Sequence, residues 1–251
     1  NVRQPIVSTL NLAHMMPVSA VWAGPEKNDH LDGPPLIVTR TDGATPFRLV
    51  THIGDVGHTL VAGPTGMGKS VLLATLAMQF RRYRGSRIFA FDMGRSMRAT
   101  ILGLGGEHYD LGTDGEIAFQ PLARIDREGY RTWASEWVEG RLLHEGAAVG
   151  PDEKAAIWSA LGSLASAPVE QRTLTGLTAL LQSNTLRQAL APYVLGGAHG
   201  RLLDADHDRL GTSDVQAFEM EELMHSKAAV LAVLRYLFAR FEERLDGAPT
   251  L

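Results

Sequence analysis

Residues 63–70 have the sequence Gly-Pro-Thr-Gly-Met-Gly-Lys-Ser. This stretch fits the phosphate-binding pattern of Gly, four residues, and Gly-Lys followed by Ser or Thr. The glycines permit backbone conformations that a side chain would forbid, which lets backbone amides approach an anion. Those amides and the positive end of a following helix bind phosphate oxygens. The pattern predicts a nucleotide-binding site made of Gly63, Pro64, Thr65, Gly66, Met67, Gly68, Lys69, Ser70 and the next residue, Val71.

Lys69 and Ser70 carry the chemistry of this phosphate loop (residues 63–70). We expect the Lys69 ammonium to reach the β- and γ-phosphates and the Ser70 hydroxyl to ligate Mg²⁺. ATP and Mg²⁺ are the predicted cofactors, although no base-reading motif separates ATP from GTP. A glycine-rich turn before an ordinary helix is the alternative interpretation. It is disfavoured because residues 58–62 read as a strand and residues 70–82 as a helix, which is the context that the motif needs.

The segments around the phosphate loop predict an α/β fold. The run Arg87-Ile-Phe-Ala-Phe91 is apolar in a way that suits a strand buried on both faces of a parallel sheet. A short helix at 96–102 and a strand at 107–111 follow it. Alternation of strands and helices indicates a doubly wound parallel sheet with right-handed crossovers. The phosphate loop is then expected at the carboxyl end of its strand, where such folds bind ligands.

Composition and predicted secondary structure divide the chain into four regions. Residues 1–35 form the end of an N-terminal domain and the linker that follows it. This region has a helix at 8–16 and an exposed loop at 24–35 that is rich in Gly and Pro. Residues 36–129 form the first part of the nucleotide-binding core, beginning with two strands around a turn. Residues 130–195 form an all-helical insertion, and residues 196–251 return to the core. The predicted elements are strands 36–39, 47–50 and 215–220, helices 131–144, 152–165, 175–182, 186–193 and 223–245, and a strand starting at 250.

Composition excludes several classes of protein and site. The chain has 251 residues and a net charge of −4, which does not suit a protein that is cationic throughout and binds nucleic acid. It has no Cys, which excludes disulfides, Cys-ligated zinc and a Cys nucleophile. No apolar run approaches the roughly 18 residues of a membrane span. The His residues are scattered without metal-ligand spacing.

A nucleotide hydrolase also needs an acidic residue at the end of a second apolar strand. Asp92, directly after the run 87–91, is the candidate for this role. The alternative is a strand-end carboxylate that caps the next turn.

Arg95 and Arg98 are either nucleotide-facing or solvated. The basic cluster at 81–87 is either a DNA contact or a set of cations at a helix end.

Two further patterns have structural interpretations. The acidic stretch Asp204-Ala-Asp206-His-Asp208 lacks the Gly and Glu positions of a calcium loop, so we interpret it as a solvated turn. Trp133, Trp137 and Trp158 lie on predicted helices, where packing in a core or subunit interface is favoured over base stacking.

Several stretches together resemble the VirB/TrbE/CagE-type conjugative transfer ATPases, most closely the TrbE branch. They are Asn11-Leu12, Thr45-Pro-Phe-Arg-Leu49, Gly54-Asp-Val-Gly-His-Thr-Leu60 leading into the phosphate loop, Phe80-Arg-Arg-Tyr83, Ile88-Phe-Ala-Phe-Asp92, Gly94-Arg-Ser96, Asp114-Gly-Glu-Ile-Ala-Phe-Gln-Pro-Leu122, Trp133-Ala-Ser-Glu-Trp137 and Phe218-Glu-Met-Glu-Glu222. The resemblance implies a P-loop NTPase fold of the RecA and HerA–FtsK type. It also implies a motor ATPase, working as an oligomer such as a hexamer, on the cytoplasmic face of the inner membrane. Its partners would be other type IV secretion channel components and a DNA or protein substrate.

Two departures from the family pattern lead to a prediction about activity. Met93 follows Asp92 where family members often have Lys. The family's Walker B strand is expected to open near Ala248, with its acids beyond Leu251. We therefore predict that this chain binds nucleotide weakly and hydrolyses it poorly. The alternatives left open are a DNA-pumping ATPase of the HerA/FtsK type and a non-catalytic nucleotide-binding scaffold of a membrane complex.

Overall fold

A computed structural model describes residues 7–16, 22–43, 45–112 and 117–251. The chain forms two compact units, Asn1–Tyr83 and Arg84–Leu251. The N-terminal part of the stretch 114–122, which contributed to the family resemblance, lies outside the described residues.

In residues 7–16, 22–43 and 45–83, the first unit has two α-helices and a small sheet. Helix α1 (Thr9–Met15) is capped by Ser8, whose hydroxyl accepts a hydrogen bond from the Asn11 amide at 3.2 Å. Strands β1 (Ile37–Thr39) and β2 (Phe47–Leu49) pair antiparallel, as the turn between them predicts. Helix α2 (Lys69–Phe80) follows the phosphate loop and confirms the predicted helix.

The loop at 24–35 is exposed at half of its positions, as its composition predicts, but it is anchored by buried residues that the prediction did not include. Asn28 is fully buried, and its backbone pairs with Gly33 in both directions. The Tyr83 ring lies so close to Gly33 that a Cβ there would meet ring carbons at 2.7 Å, and the Tyr83 hydroxyl donates to the Pro34 carbonyl at 2.9 Å. Because these contacts are with a residue 50 positions away, composition alone did not reveal them.

The prediction of a strand at 58–62 is wrong for this structure. These residues pair with no strand in the part of the chain that the structure describes. The Leu60 side chain is 91% exposed. A strand needs a hydrogen-bonded neighbour as well as a suitable sequence, and residues 58–62 lack one here.

The second unit is built on a parallel three-stranded sheet. Its strands are β3 (Ile88–Asp92), β4 (Glu107–Asp110) and β5 (Val215–Glu219), in the order β3-β5-β4. Helix α3 (Arg98–Gly103) connects β3 to β4. All three strands fall where the sequence predicts them. Residues 249–251 run beside β3 in the parallel direction, which agrees with the strand pairing predicted at Thr250.

After β4, the described residues 117–251 include six α-helices: α4 (Glu128–His144), α5 (Pro151–Ala165), α6 (Leu174–Leu180), α7 (Asn184–Leu190), α8 (Gly200–Leu203) and α9 (Lys227–Glu242). The predicted helix 223–245 is interrupted at Ser226. A 3₁₀ turn, Leu223–His225, precedes Ser226, whose hydroxyl then accepts the Ala229 amide as the cap of α9. Capping by Ser competes with helix continuation, which explains the break.

The helices and the sheet share one hydrophobic core. Trp137 of α4 is fully buried and donates its indole N–H to the Ala232 carbonyl of α9 at 3.0 Å. Phe218 of β5 and Phe241 of α9 lie in the same core. The Arg131 guanidinium stands 5.0 Å from the centre of the Trp158 ring, which keeps that partly exposed indole at the α4–α5 surface. The packing role predicted for Trp137 is therefore confirmed.

Candidate functional site: the phosphate loop and the strand-end acids

The phosphate loop has the backbone shape that its glycines predict. Gly66 and Gly68 have φ values of +84° and +80°, in the left-handed region that favours glycine. A Cβ added at either position would meet no heavy atom within 4 Å, so the requirement is conformational rather than steric. Gly68 is directly followed by α2, whose first helical residue is Lys69. The positive end of α2 therefore opens into the loop.

The Lys69 ammonium folds over the loop. Its Nζ donates to the Gly63 carbonyl at 2.8 Å and to the Pro64 carbonyl at 2.7 Å. In the described part of the chain, no side chain caps the amides at the start of α2. Residues 62–68 and Ser70 are exposed. The loop thus offers a cation, exposed amides and a hydroxyl to an incoming anion.

Asp92 lies at the carboxyl end of β3, where it holds the turn before α3. Its carboxylate accepts hydrogen bonds from the Met93 amide at 2.9 Å, the Ser96 hydroxyl at 2.8 Å and the Met97 amide at 2.7 Å. The side chain is buried. These contacts correspond to the capping interpretation that the sequence left open. A role for Asp92 at a nucleotide remains a prediction.

Glu219 is a strand-end acid that sequence reasoning missed. It is the register partner of Asp92 on the adjacent strand β5 and is buried. Its carboxylate accepts from the Gly94 amide at 3.1 Å, the Arg95 amide at 2.5 Å and the Glu221 amide at 3.0 Å. The signal that could have found it was an acid near the end of a predicted strand. The prediction extended that strand to 220 and so treated Glu219 as an interior residue.

Arg95 is fixed by the acids at the same edge of the sheet. Its φ of +56° is left-handed, which is uncommon for a residue with a Cβ. Its guanidinium pairs with the Asp110 carboxylate at the end of β4, at 2.7 Å. The three strands β3, β5 and β4 thus end in Asp92, Glu219 and Asp110, all of which contact the turn 93–97 or its side chains. Arg95 is exposed, which agrees with the solvated interpretation, and the ion pair fixes where its guanidinium lies.

The pKa of His108 on β4 reflects this charged edge. Burial lowers the pKa from its usual 6.5, and the positive charge of Arg98 lowers it further. The carboxylates of Glu219, Asp110 and Asp92 act in the opposite direction without reversing the shift. The His108 ring is therefore favoured in its neutral form.

Tyr83 and the acidic stretch 204–208, which the sequence singled out as possible binding residues, make contacts that stabilise the fold. Tyr83 is only 4% exposed, so its ring cannot stack on a nucleic-acid base. The acidic stretch 204–208 is solvated, as predicted, only at Asp206 and His207. The buried Asp204 carboxylate accepts the Thr175 and Leu195 amides, and Asp208 accepts the Tyr236 hydroxyl and pairs with Arg240. Such contacts stabilise the core between the helical region and β5.

Neither a metal cluster nor a membrane span is found in the described residues. No group of three or more His, Asp or Glu within 7–16, 22–43, 45–112 and 117–251 is arranged to hold a metal ion. Within those same residues, every helix is too short or too polar to cross a bilayer. The phosphate loop is thus the candidate site on which sequence and geometry agree.

Comparison with known proteins points in the same direction. No protein-family model matches the chain. It is 40% identical, over its whole length, to a probable conjugal transfer protein TrbE of Sinorhizobium fredii, of which it spans 39%. It is 42% identical to the conjugal transfer protein TrbE of Rhizobium radiobacter, of which it spans 32%. The chain thus covers less than half the length of these curated relatives.

More distant similarity extends to VirB4 proteins. The chain is 26% identical over 98% of its length to the type IV secretion system protein virB4 of Bartonella quintana. The solved structure of VirB4 from Thermoanaerobacter pseudethanolicus matches 72% of the chain and 55% of that structure, with a TM-score of 0.53 and 20% identity. At this identity the structural match shows the fold alone. The expected P-loop ATPase fold, with a parallel sheet flanked by helices, is confirmed.

Proposed function

Because the chain belongs to the TrbE and VirB4 family of conjugal transfer and type IV secretion proteins, we propose that it binds ATP through residues 63–70. The observation that carries the proposal is the loop geometry: two left-handed glycines lead directly into α2, with Lys69 as its first residue. In this proposal Lys69 leaves the Gly63 and Pro64 carbonyls and neutralises the β- and γ-phosphates, while the exposed Ser70 hydroxyl ligates Mg²⁺.

The proposed biological role follows from the relatives. We infer that the whole protein is a motor ATPase that energises pilus assembly or substrate transfer in a conjugation or type IV secretion system. It would act as a homo-oligomer, a hexamer by family resemblance, at the cytoplasmic face of the inner membrane. Other channel components and the transferred DNA or protein would be its partners.

Hydrolysis by this chain is proposed to be slow, and the strand-end acids support that proposal. Asp92 and Glu219 each accept three hydrogen bonds from the turn after β3 or its neighbours, and Asp110 pairs with Arg95. Carboxylates engaged in this way are poorly placed to hold Mg²⁺ through water or to orient an attacking water. The same observation favours a second candidate function, a nucleotide-binding scaffold without turnover.

Calorimetric titration with ATP and Mg²⁺ tests the proposed site. Replacing Lys69 with Ala should weaken binding at least about tenfold, which corresponds to about 1.4 kcal/mol, because the charge that faces the phosphates is lost. Lys154→Ala is the matched control, since Lys154 is an exposed lysine that pairs with Glu139 and lies outside the loop. Equal affinities in wild type and Lys69→Ala would contradict the proposal.

A turnover assay separates the two candidate functions. A motor ATPase predicts phosphate release that depends on Mg²⁺ and is lost in Lys69→Ala. A scaffold predicts binding without release above the background of the Lys69→Ala protein. Stimulation of turnover by single- or double-stranded DNA would instead favour the DNA-pumping alternative.

A further inference from the structure

His30 and His52 form a stacked imidazole pair in the first unit. Their ring centres are 4.5 Å apart and the planes are inclined by 15°. Both rings line a cavity of about 390 Å³, together with Asn28 and Asp55. Offset contact of this kind is favourable when at least one of the rings is neutral.

The His52 ring also lies close to the backbone at Gly57. A Cβ built on Gly57 would meet His52 Nε2 at 2.6 Å and Cδ2 at 2.9 Å, so only glycine allows this approach. The His52 Nδ1 atom is 3.2 Å from the Thr51 hydroxyl. The ring therefore packs against both His30 and Gly57.

Between His52 and Gly57 the chain makes a tight turn. The Ile53 amide donates to the Val56 carbonyl at 2.9 Å, and the Val56 amide donates to the Ile53 carbonyl at 3.3 Å. Gly54 supplies the positive φ, +59°, that this turn needs. The side chains of Ile53 and Val56 are mostly exposed, so the turn has little apolar burial of its own to hold it.

Burial and neighbouring charge both act on the His52 ring. Burial lowers the pKa of His52, and the neighbouring His30 lowers it further. The Asp55 carboxylate lies 3.5 Å from His30 Nδ1 and is almost fully exposed. Lys27 and Asp29, which also line the cavity, pair with each other at 3.0 Å. No other ionisable side chain among the described residues lines this cavity.

We propose that the His30–His52 stack is a proton-sensitive latch that holds the turn 53–56 closed against Gly57. With His52 neutral, the ring packs against both His30 and Gly57. When both imidazoles carry a proton, two like charges face each other at 4.5 Å and the stack opens. Opening removes the support beneath the turn, six residues before the phosphate loop begins.

The direction of the pH effect follows from the His52 pKa. A group whose folded pKa lies below its ordinary 6.5 binds fewer protons when folded than when unfolded. The stability that the neutral ring contributes is therefore present above pH 6.5 and is lost as the pH falls below it. The latch is closed at neutral pH and opens in mild acid.

Amide hydrogen exchange on the full chain tests the latch. We expect the protection factors of the Ile53 and Val56 amides, corrected for intrinsic rates, to fall several-fold between pH 7.5 and 5.5. In His30→Gln the second charge is absent, so this fall should shrink and the His52 Cε1–H resonance should titrate closer to 6.5. His58→Gln, an exposed histidine of the same segment, is the matched control and should keep the wild-type response.

Three results would overturn the proposal. The first is protection that does not change with pH in the wild-type chain. The second is a His30→Gln response that equals the wild-type response. The third is a His52 resonance that titrates at or above 6.5. Because the resonance is read directly, the test remains decisive even if a variant alters the fold of the turn. None of these outcomes depends on nucleotide binding, so the latch and the proposed function fail or succeed separately.

Discussion

Two turns in this molecule lead into a helix through residues with positive φ, yet they differ in what faces their amides. The phosphate loop uses Gly66 and Gly68, and the turn after β3 uses Gly94 and Arg95. In the β3 turn, the Glu219 and Asp92 carboxylates accept four backbone amides, those of residues 93, 94, 95 and 97. In the phosphate loop no carboxylate among the described residues does so.

One backbone device thus serves two purposes. Successive left-handed or turn residues point their amides to a common point and create a place for an anion. After β3 the anions are the carboxylates of Asp92 and Glu219, which belong to the protein itself. They make the turn 93–97 a rigid corner at the edge of the sheet, the β3 corner. In the phosphate loop the corresponding amides are exposed, and the Lys69 ammonium bonds to two carbonyls of the same loop. We interpret the first turn as structural and the second as a receptor for an external anion.

Removal of Glu219 should cause the greatest loss among the changes that test this contrast. Glu219→Ala leaves the Gly94 and Arg95 amides without their acceptor inside a partly buried corner. We expect a loss of about 3 kcal/mol in the free energy of unfolding, since each buried polar group left unpaired costs about 1–3 kcal/mol. Urea unfolding followed by the fluorescence of Trp133, Trp137 and Trp158 measures it.

Glu221→Ala is the control for the Glu219 experiment. Glu221 is exposed, and its side chain lies outside the corner. Its removal should change the unfolding free energy by no more than about 0.5 kcal/mol. If Glu219→Ala also stays within that range, the carboxylate does not hold the corner and the contrast between the two turns fails.

A matched pair of glycine substitutions should have a somewhat smaller effect. Gly94 and Gly66 have nearly equal φ values, +85° and +84°, and neither has a heavy atom within 4 Å of an added Cβ. Alanine at a left-handed position costs about 1–2 kcal/mol. In Gly94→Ala we expect this cost in the unfolding free energy, because carboxylates fix the turn. In Gly66→Ala the exposed loop can relax, so the cost should appear as weaker ATP binding.

For Gly94→Ala and Gly66→Ala alike, urea unfolding measures the free energy of unfolding, and calorimetric titration with ATP and Mg²⁺ measures the affinity for ATP. The informative result is the crossed pattern: stability changes in one variant and affinity in the other. Two variants that lose stability equally, with unchanged ATP affinity, would show that the phosphate loop is as rigid and as structural as the β3 turn.

The sequence was sufficient wherever the signal is local. The glycine spacing of residues 63–70 specifies the left-handed positions, and the apolar run 87–91 specifies β3 within one residue. Helices α4 and α5 follow from periodicity and from the Pro151 start signal. In each of these elements, the residues that determine the structure lie within a few positions of one another.

The sequence was insufficient where a distant contact decides the outcome. Glu219 contacts amides 124 and 125 positions away, so its place at the end of β5 is a local signal but the amides that it binds are not. The buried position of Asn28 depends on its hairpin and on the Tyr83 ring packed against Gly33. Residues 58–62 have the pattern of a strand, but strand formation requires a partner that local sequence does not supply. The phosphate loop and the capping role of Asp92 were therefore predictable from local sequence, and the contacts of Glu219 and Asp110 were not.

A weaker effect than any of these is expected at His108, which lies beside the acids of the β3 corner. Burial lowers its pKa below 6.5, and Arg98 lowers it further, so the folded protein favours the neutral ring. The stability that results is present above pH 6.5 and should decline as the pH falls below that value. His108→Gln should remove this part of the pH dependence of unfolding between pH 7.5 and 5.5.

His225→Gln serves as the control, since His225 is exposed and lies on the 3₁₀ turn before α9. Titration of the His108 Cε1–H resonance identifies the group directly. A resonance that titrates above 6.5 would mean that the carboxylates of Asp92, Asp110 and Glu219 outweigh burial and Arg98. The edge of the sheet would then still hold unsatisfied negative charge, and the interpretation of the β3 turn as an anion site that the protein fills completely would fail.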